Sequence, residues 1–79
     1  MAEEKKSAAA REQFLHEAVA HLDHLYRVAF HLASQPDEVE DLVQETYTRA
    51  ISSYEQFNLG SNMKAWLTRI LYNFFFDRY

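Results

Sequence analysis

The stretch Pro36-Asp37-Glu38-Val39-Glu40-Asp41-Leu42-Val43-Gln44-Glu45-Thr46-Tyr47-Thr48-Arg49-Ala50-Ile51 decides the fold class. Its apolar positions Val39, Leu42, Val43, Tyr47, Ala50 and Ile51, continued by Tyr54, recur at intervals of three and four. That spacing lays a single stripe along a helix of 3.6 residues per turn. Pro36 brings a backbone already set for a first helical turn, and Asp37 with Glu40 has the spacing of a capping box. Asp37, Glu38, Glu40 and Asp41 crowd the end where the helix dipole favours negative charge. The pattern predicts a helix over about 37–54.

The same periodicity extends to both sides. Phe14, Leu15, Ala18, Val19, Leu22, Leu25, Tyr26, Ala29 and Ala33 predict a helix over about 12–33. Met63, Trp66, Leu67, Ile70, Leu71 and Phe74 predict a third over about 62–78. Before it, Phe57-Asn58-Leu59-Gly60-Ser61-Asn62 has turn composition, with Ser61 suited to cap the helix. Nothing alternates with a period of two, and the single Pro36 and Gly60 punctuate the chain between the helical segments. The expected architecture is all-α, a three-helix bundle. Residues 1–11, rich in alanine, are expected to form a flexible N-terminal arm, and residues 12–79 the helical domain.

Composition removes several function classes. The chain has 79 residues and no cysteine, which excludes disulfide staples, thiol nucleophiles and cysteine-based zinc sites. At 48% hydrophobic and 15% aromatic it carries more apolar material than a disordered segment, although a domain of this length buries only about 60% of its unfolded surface. No apolar run approaches the roughly 20 residues of a membrane span. The first eleven residues lack the apolar stretch of a signal peptide, so a cytoplasmic location and no membrane partner are expected. No glycine-rich phosphate loop and no recognisable serine or histidine motif points to an enzyme. The net charge of −4 is divided: residues 1–56 hold five Lys/Arg against eleven Asp/Glu, a net −6, whereas residues 57–79 hold Lys64, Arg69 and Arg78 against Asp77, a net +2. The two parts are expected to meet different partners.

Three groups of side chains invite a functional reading. His16, His21, His24 and His31 fall opposite the apolar stripe if the first helix is continuous, and His21 with His24 has metal-ligand spacing. A solvated polar face accounts for them, and no metal or cofactor is expected. The acidic residues at the start of the second helix lack the pattern of a calcium loop, and ordinary dipole-favoured charge explains them. Behind them Asp41, Gln44, Glu45, Thr48 and Arg49 form a mixed polar face suited to docking a partner helix. The third helix has a second face with Lys64, Thr68, Arg69, Tyr72, Asn73, Phe75, Phe76 and Tyr79. Aromatics on a non-core face require a cover. Further protein would supply one; single-stranded nucleic acid would supply another, with bases stacked on rings and phosphates on cations. A homeodomain-like reader is disfavoured, because its recognition helix is strongly basic and this one is aromatic.

Two runs in the right order resemble region 2 of the bacterial extracytoplasmic-function (ECF) sigma factors. Asp41-Leu42-Val43-Gln44-Glu45-Thr46-Tyr47-Thr48-Arg49-Ala50 is similar to the family's D-L-V-Q-E-T-F-x-R-A. Phe57 followed by Asn62-Met63-Lys64-Ala65-Trp66-Leu67-Thr68-Arg69-Ile70-Leu71-Tyr72-Asn73 is similar to its N-F-R-A-W-L-x-R-I-A-x-N. Met63-Lys64, Leu71 and the bulky Phe74-Phe75-Phe76 depart from the pattern. Gly60 to Leu67 also resembles the thiol-oxidative-stress subgroup, whose regulators are zinc-binding anti-sigma factors.

The resemblance implies a promoter-specificity subunit that binds core RNA polymerase, recognises the minus-ten element and helps to open the duplex. Asp41, Gln44, Glu45 and Arg49, with Thr48 on the same face, would dock on the clamp helices of the largest polymerase subunit. The loop of Asn58, Leu59, Gly60, Ser61 and Asn62 would hold a flipped base of the single-stranded non-template DNA, with Asn73 close enough to reach that base or its neighbour. Lys64 and Arg69 would meet backbone phosphates beside Tyr72, and Trp66 would pack the third helix. An anti-sigma factor is a further expected partner, and a purely protein-docking module is the alternative. A sigma factor of this group also needs a C-terminal helix-turn-helix domain, so the chain is expected to be a fragment.

Overall fold

Gln35 stands immediately before Pro36 and is held extended, at φ −102° and ψ 138°, because the proline ring disfavours helical geometry in the residue before it. This junction divides two helices in a computed structural model that describes residues 8–58 and 60–78. The elements are α1 (Ala8–Val19), α2 (Leu22–Leu32), α3 (Pro36–Ser52), a 3₁₀ turn (Tyr54–Gln56) and α4 (Met63–Arg78). No strand occurs among the described residues. The all-α expectation holds. Among the described residues no helix is long and apolar enough to cross a membrane.

The expected first helix is two helices. Ala20 and His21 form a turn in which the His21 amide donates to the Ala18 carbonyl at 3.2 Å, a three-residue step in place of the four-residue step. The Tyr47 hydroxyl of α3 donates to the same carbonyl at 2.7 Å. A tertiary hydrogen bond therefore occupies an acceptor that a continuous helix would use internally. The break turns the flanking Val19 and Leu22 outward, at 60% and 37% exposure, although their spacing predicted burial. Residues 8–11 of the expected arm belong to α1, and the rest of the arm lies outside the described residues.

The starts of the later helices also differ from expectation. Pro36 occupies the first turn of α3 and Gln35 is its cap residue, with no side-chain capping bond; the Asp37–Glu40 capping box does not form, because both residues lie inside the helix. At α4 the cap is Asn62, not Ser61: the Asn62 Oδ1 accepts from the Ala65 amide at 3.0 Å. The Ser61 hydroxyl instead donates to the Asn58 carbonyl, which closes the preceding loop.

The core lies where α3 packs against both α2 and α4. Leu25, Ala29, Leu42, Ala50, Leu67 and Leu71 are fully enclosed there. Thr46 is buried among them and returns its hydroxyl to the Leu42 carbonyl at 2.7 Å, so the polar atom is satisfied within its own helix. At the other end Phe14 of α1 meets Tyr54, Phe57 and Trp66 at ring-centroid distances of 4.8, 5.7 and 5.9 Å. Phe57 and Trp66 lie 4.7 Å apart. This aromatic cluster anchors the chain just before the loop at 58–62 and fixes the start of α4 beneath it.

Candidate nucleic-acid interface and docking face

Two faces gather the expected site residues. On the first, the loop and α4 form adjoining open pockets. One, of about 240 Å³, is lined by Ser61, Asn62, Ala65, Trp66 and Arg69. The other, of about 420 Å³, shares Asn62, Ala65 and Arg69 and adds Lys64, Thr68, Tyr72 and His24. Residues four apart share a helix face, which is why Lys64, Thr68 and Tyr72 line one wall. Arg69 stands between the two pockets. No carboxylate lines either of them. The local chemistry therefore differs from that of the acidic chain as a whole.

The loop conformation depends on Gly60, whose φ of +95° lies where residues with a Cβ are strained. The Ser61 amide donates to the Asn58 carbonyl at 3.0 Å, and Asn58, Gly60 and Ser61 are exposed. Leu59, also expected at the site, lies outside the described residues. Trp66 is partly buried against Phe14 and Phe57, as expected of a packing residue, yet its exposed edge lines the smaller pocket.

Asn73 is not part of this assembly. It is exposed and lines neither pocket. Eleven residues separate it from Asn62, a rise of roughly 16 Å along α4. Asn73 therefore stands apart from the two pockets along α4.

The aromatic face of α4 is smaller than its sequence suggests. Phe75 is partly buried against the core, and Tyr79 lies outside the described residues. Tyr72 and Phe76 remain, 37% and 65% exposed, with rings stacked at 6.0 Å and 19°. They make a short platform that continues the larger pocket along the helix.

His24 is a residue that the sequence misplaced. Its Nε2 lies 2.9 Å from the Thr68 hydroxyl, bridging α2 and α4. Burial, and then the positive charge of Lys64 with contributions from His21 and Arg27, push its imidazole below the usual histidine range. Projection onto one helix put it on the solvent side; the partner that half-buries it, Thr68, comes from α4. His16 and His31 are exposed as expected, and His31 Nδ1 lies 2.8 Å from the Arg27 carbonyl of its own helix.

The second face is on α3. Asp41, Gln44, Glu45, Thr48 and Arg49 line one side of that helix, and Asp41, Gln44 and Thr48 are exposed. Several of them already have partners within the chain. Glu45 pairs with the Arg49 Nε at 3.1 Å, and the Arg49 guanidinium lies 4.8 Å from the Phe74 ring of α4. Arg78 pairs with Asp41 and stands 5.6 Å from the centre of the same ring. Asp37, Glu38, Glu40, Asp41, Gln44 and Arg78 line an open concavity of about 530 Å³. Arg78 and Phe74 thus belong to this face. A cation in the last turn of the third helix was the available signal, but nothing local told which acid it would meet.

Comparison with known proteins gives a consistent result. Residues 18–79 match the sigma-70 region 2 family. A relative named ECF RNA polymerase sigma factor EcfG, from Rhodopseudomonas palustris (strain TIE-1), is 45% identical over 51 residues, covering 65% of this chain and 28% of the relative. ECF RNA polymerase sigma factor SigE from Mycolicibacterium smegmatis is 39% identical over 57 residues, covering 72% of this chain and 22% of the relative. ECF RNA polymerase sigma factor SigX from Bacillus subtilis is 39% identical over 46 residues, 58% of this chain and 24% of the relative. The chain spans about a quarter of the length of these curated relatives.

Proposed function

The chain belongs to the sigma-70 region 2 family, a family of transcription initiation factor domains and not of enzymes, and from that premise we propose that it docks on core RNA polymerase through α3 and captures single-stranded non-template promoter DNA along its loop and α4. The observation that carries this reading is the pair of adjoining, carboxylate-free pockets around Asn62, Arg69 and Lys64, continued by the Tyr72–Phe76 stack. Holding an extruded base requires recovery of a few kcal/mol of unstacking energy. Stacking on an aromatic ring returns about 1–3 kcal/mol per base, and the cations answer the phosphates. The smaller pocket takes the extruded base of the minus-ten element, and Lys64 and Arg69 hold the backbone beside it. Melting follows because the captured form exists only in the open duplex.

The acidity of the rest of the chain sets a limit on its independent action. With a net charge of −4, it attracts duplex DNA weakly, and the polymerase supplies most of the affinity. Fluorescence anisotropy with labelled single strands carrying candidate minus-ten sequences tests the reading. Sequence-dependent binding, weakened by Arg69→Ala, is expected. Binding that ignores sequence and Arg69, or submicromolar affinity for duplex, overturns it.

A second reading has its own observation. Phe30 on α2 and Phe76 on α4 are 61% and 65% exposed, and exposed aromatics of this size favour a protein partner. An anti-sigma factor is the partner of that kind for such a domain. Phe30→Ser would then abolish inhibitor binding while leaving single-strand binding unchanged.

A further inference from the structure

Thr68 has one hydroxyl proton and donates it to the Lys64 carbonyl at 2.7 Å. In the 2.9 Å contact with His24 its oxygen is therefore the acceptor, and the imidazole Nε2 is the donor. This fixes the tautomer. The neutral ring carries its hydrogen on Nε2, and any further proton goes to Nδ1. His24 is thus held in place by a bond that survives both protonation states.

The surroundings of that ring carry one sign of charge. Lys64 and Arg69 of α4 line the same pocket, together with the neutral phenol of Tyr72 and amide of Asn62. On α2 itself, His21 and Arg27 act on the ring with the same sign as Lys64. A cationic pocket that contains an uncharged, anchored imidazole has one more positive charge available than it uses when empty. An anion placed there offsets the cationic field, which adds to burial in keeping the ring neutral.

We propose that the pocket between α2 and α4 is a phosphate subsite in which His24 is a proton-linked ligand, so that a backbone phosphate settling against Lys64 and Arg69 is bound together with a proton on His24 Nδ1. The proposal rests on the nucleic-acid reading above for the source of the phosphate; the subsite itself requires only a phosphate anion. No bond is made or broken beyond the proton, which comes from solvent. Burial, and then the neighbouring cations, keep the imidazole of the empty site uncharged near pH 7, and the phosphate offsets the share of the cations. Linkage then requires that binding tighten as the pH falls, by at most tenfold per pH unit for one proton.

The test is an NMR titration of the His24 ring in the 79-residue chain, alone, with oligothymidylate and with inorganic phosphate, alongside anisotropy at pH 8 and pH 6. The expected result is a rise in the His24 midpoint of about half a pH unit or more with either ligand. Affinity for the oligonucleotide should grow roughly threefold to tenfold more in the native chain than in His24→Gln between those pH values. Glutamine keeps a donor for Thr68 and cannot titrate, and circular dichroism checks that the variant is folded. If the strand binds but the midpoint stays put and both proteins share one pH profile, the subsite is overturned while the nucleic-acid reading stands. If phosphate raises the midpoint and the strand does not bind, the subsite stands and the nucleic-acid reading fails. If neither ligand moves the midpoint, the subsite is overturned.

Discussion

The Tyr47 hydroxyl donates to the Ala18 carbonyl at 2.7 Å, across 29 residues of sequence, at the point where α1 stops and α2 has not begun. One side chain of α3 thus meets the chain where the first two helices part. With α1 turned away from α2, Phe14 reaches the Tyr54–Phe57–Trp66 cluster under the loop, while Leu25 and Ala29 pack elsewhere in the core.

Tyr47→Phe removes the donor and little else. We expect a loss of about 1 kcal/mol at neutral pH, the usual net worth of such a bond. The pH dependence adds a signature. Burial raises the Tyr47 phenol above its ordinary value of 10.0, so the folded state holds that proton more tightly than the unfolded state. Its contribution is complete below pH 10 and fades as the pH rises through the folded value. Urea denaturation at pH 7 and pH 10.5 should show a gap between native and variant that narrows at the higher pH; a gap that widens contradicts the assignment.

The same relationship explains which parts of the molecule could be read from sequence. Three stripes of apolar residues specified an all-helical bundle, and Leu42, Ala50, Leu67 and Leu71 lie buried where periodicity put them. The break after Val19 was not legible, because no proline or glycine marks it and the hydroxyl that meets the Ala18 carbonyl comes from another helix. Val19 and Leu22 beside the break were misassigned with it, and His24 was misassigned because its partner Thr68 lies on another helix. On the site, Asn62, Lys64, Arg69 and Tyr72 were legible as a group, since one helix and its cap present them. Asn73 lies outside that group, farther along α4 from its cap.

Asn62 has two duties that a single substitution separates. Its Oδ1 caps α4 through the Ala65 amide, and it lines both pockets. Aspartate caps as well as asparagine and suits the helix dipole better, so Asn62→Asp should leave the stability unchanged or slightly raised. It also sets a carboxylate beside Lys64 and Arg69. Binding to single-stranded DNA should fall by tenfold or more while the melting temperature holds. Asn62→Ala should instead cost about 1 kcal/mol of stability. An Asn62→Asp variant that binds normally would remove Asn62 from the interface.

Gly60 tests whether the loop needs its backbone conformation or merely its small size. A Cβ built there meets nothing within 4 Å, so Gly60→Ala introduces no clash. The cost is conformational, because φ +95° is unfavourable for alanine by roughly 1–2 kcal/mol. Chemical denaturation should show a loss of that order, and single-strand affinity should fall as the loop relaxes to another shape. An alanine variant as stable as the native chain would mean that the loop does not hold this conformation in solution.

The docking face of α3 calls for a substitution that leaves the scaffold alone. Arg49 is a poor choice, since it pairs with Glu45 and covers Phe74, and Arg49→Ala should cost about 1 kcal/mol before any partner is considered. Asp41 has the same defect through Arg78. Gln44 is exposed in the middle of the face, and arginine has nearly the same helix propensity as glutamine. Gln44→Arg should therefore stay within about 0.5 kcal/mol of the native stability. If the face docks on polymerase, a new cation in a closely packed contact should weaken binding to the core enzyme by tenfold or more in a competition assay, with single-strand affinity unaltered. Unchanged polymerase binding would place the docking surface off this side of α3, including the concavity that Gln44 lines with Glu38, Glu40 and Arg78.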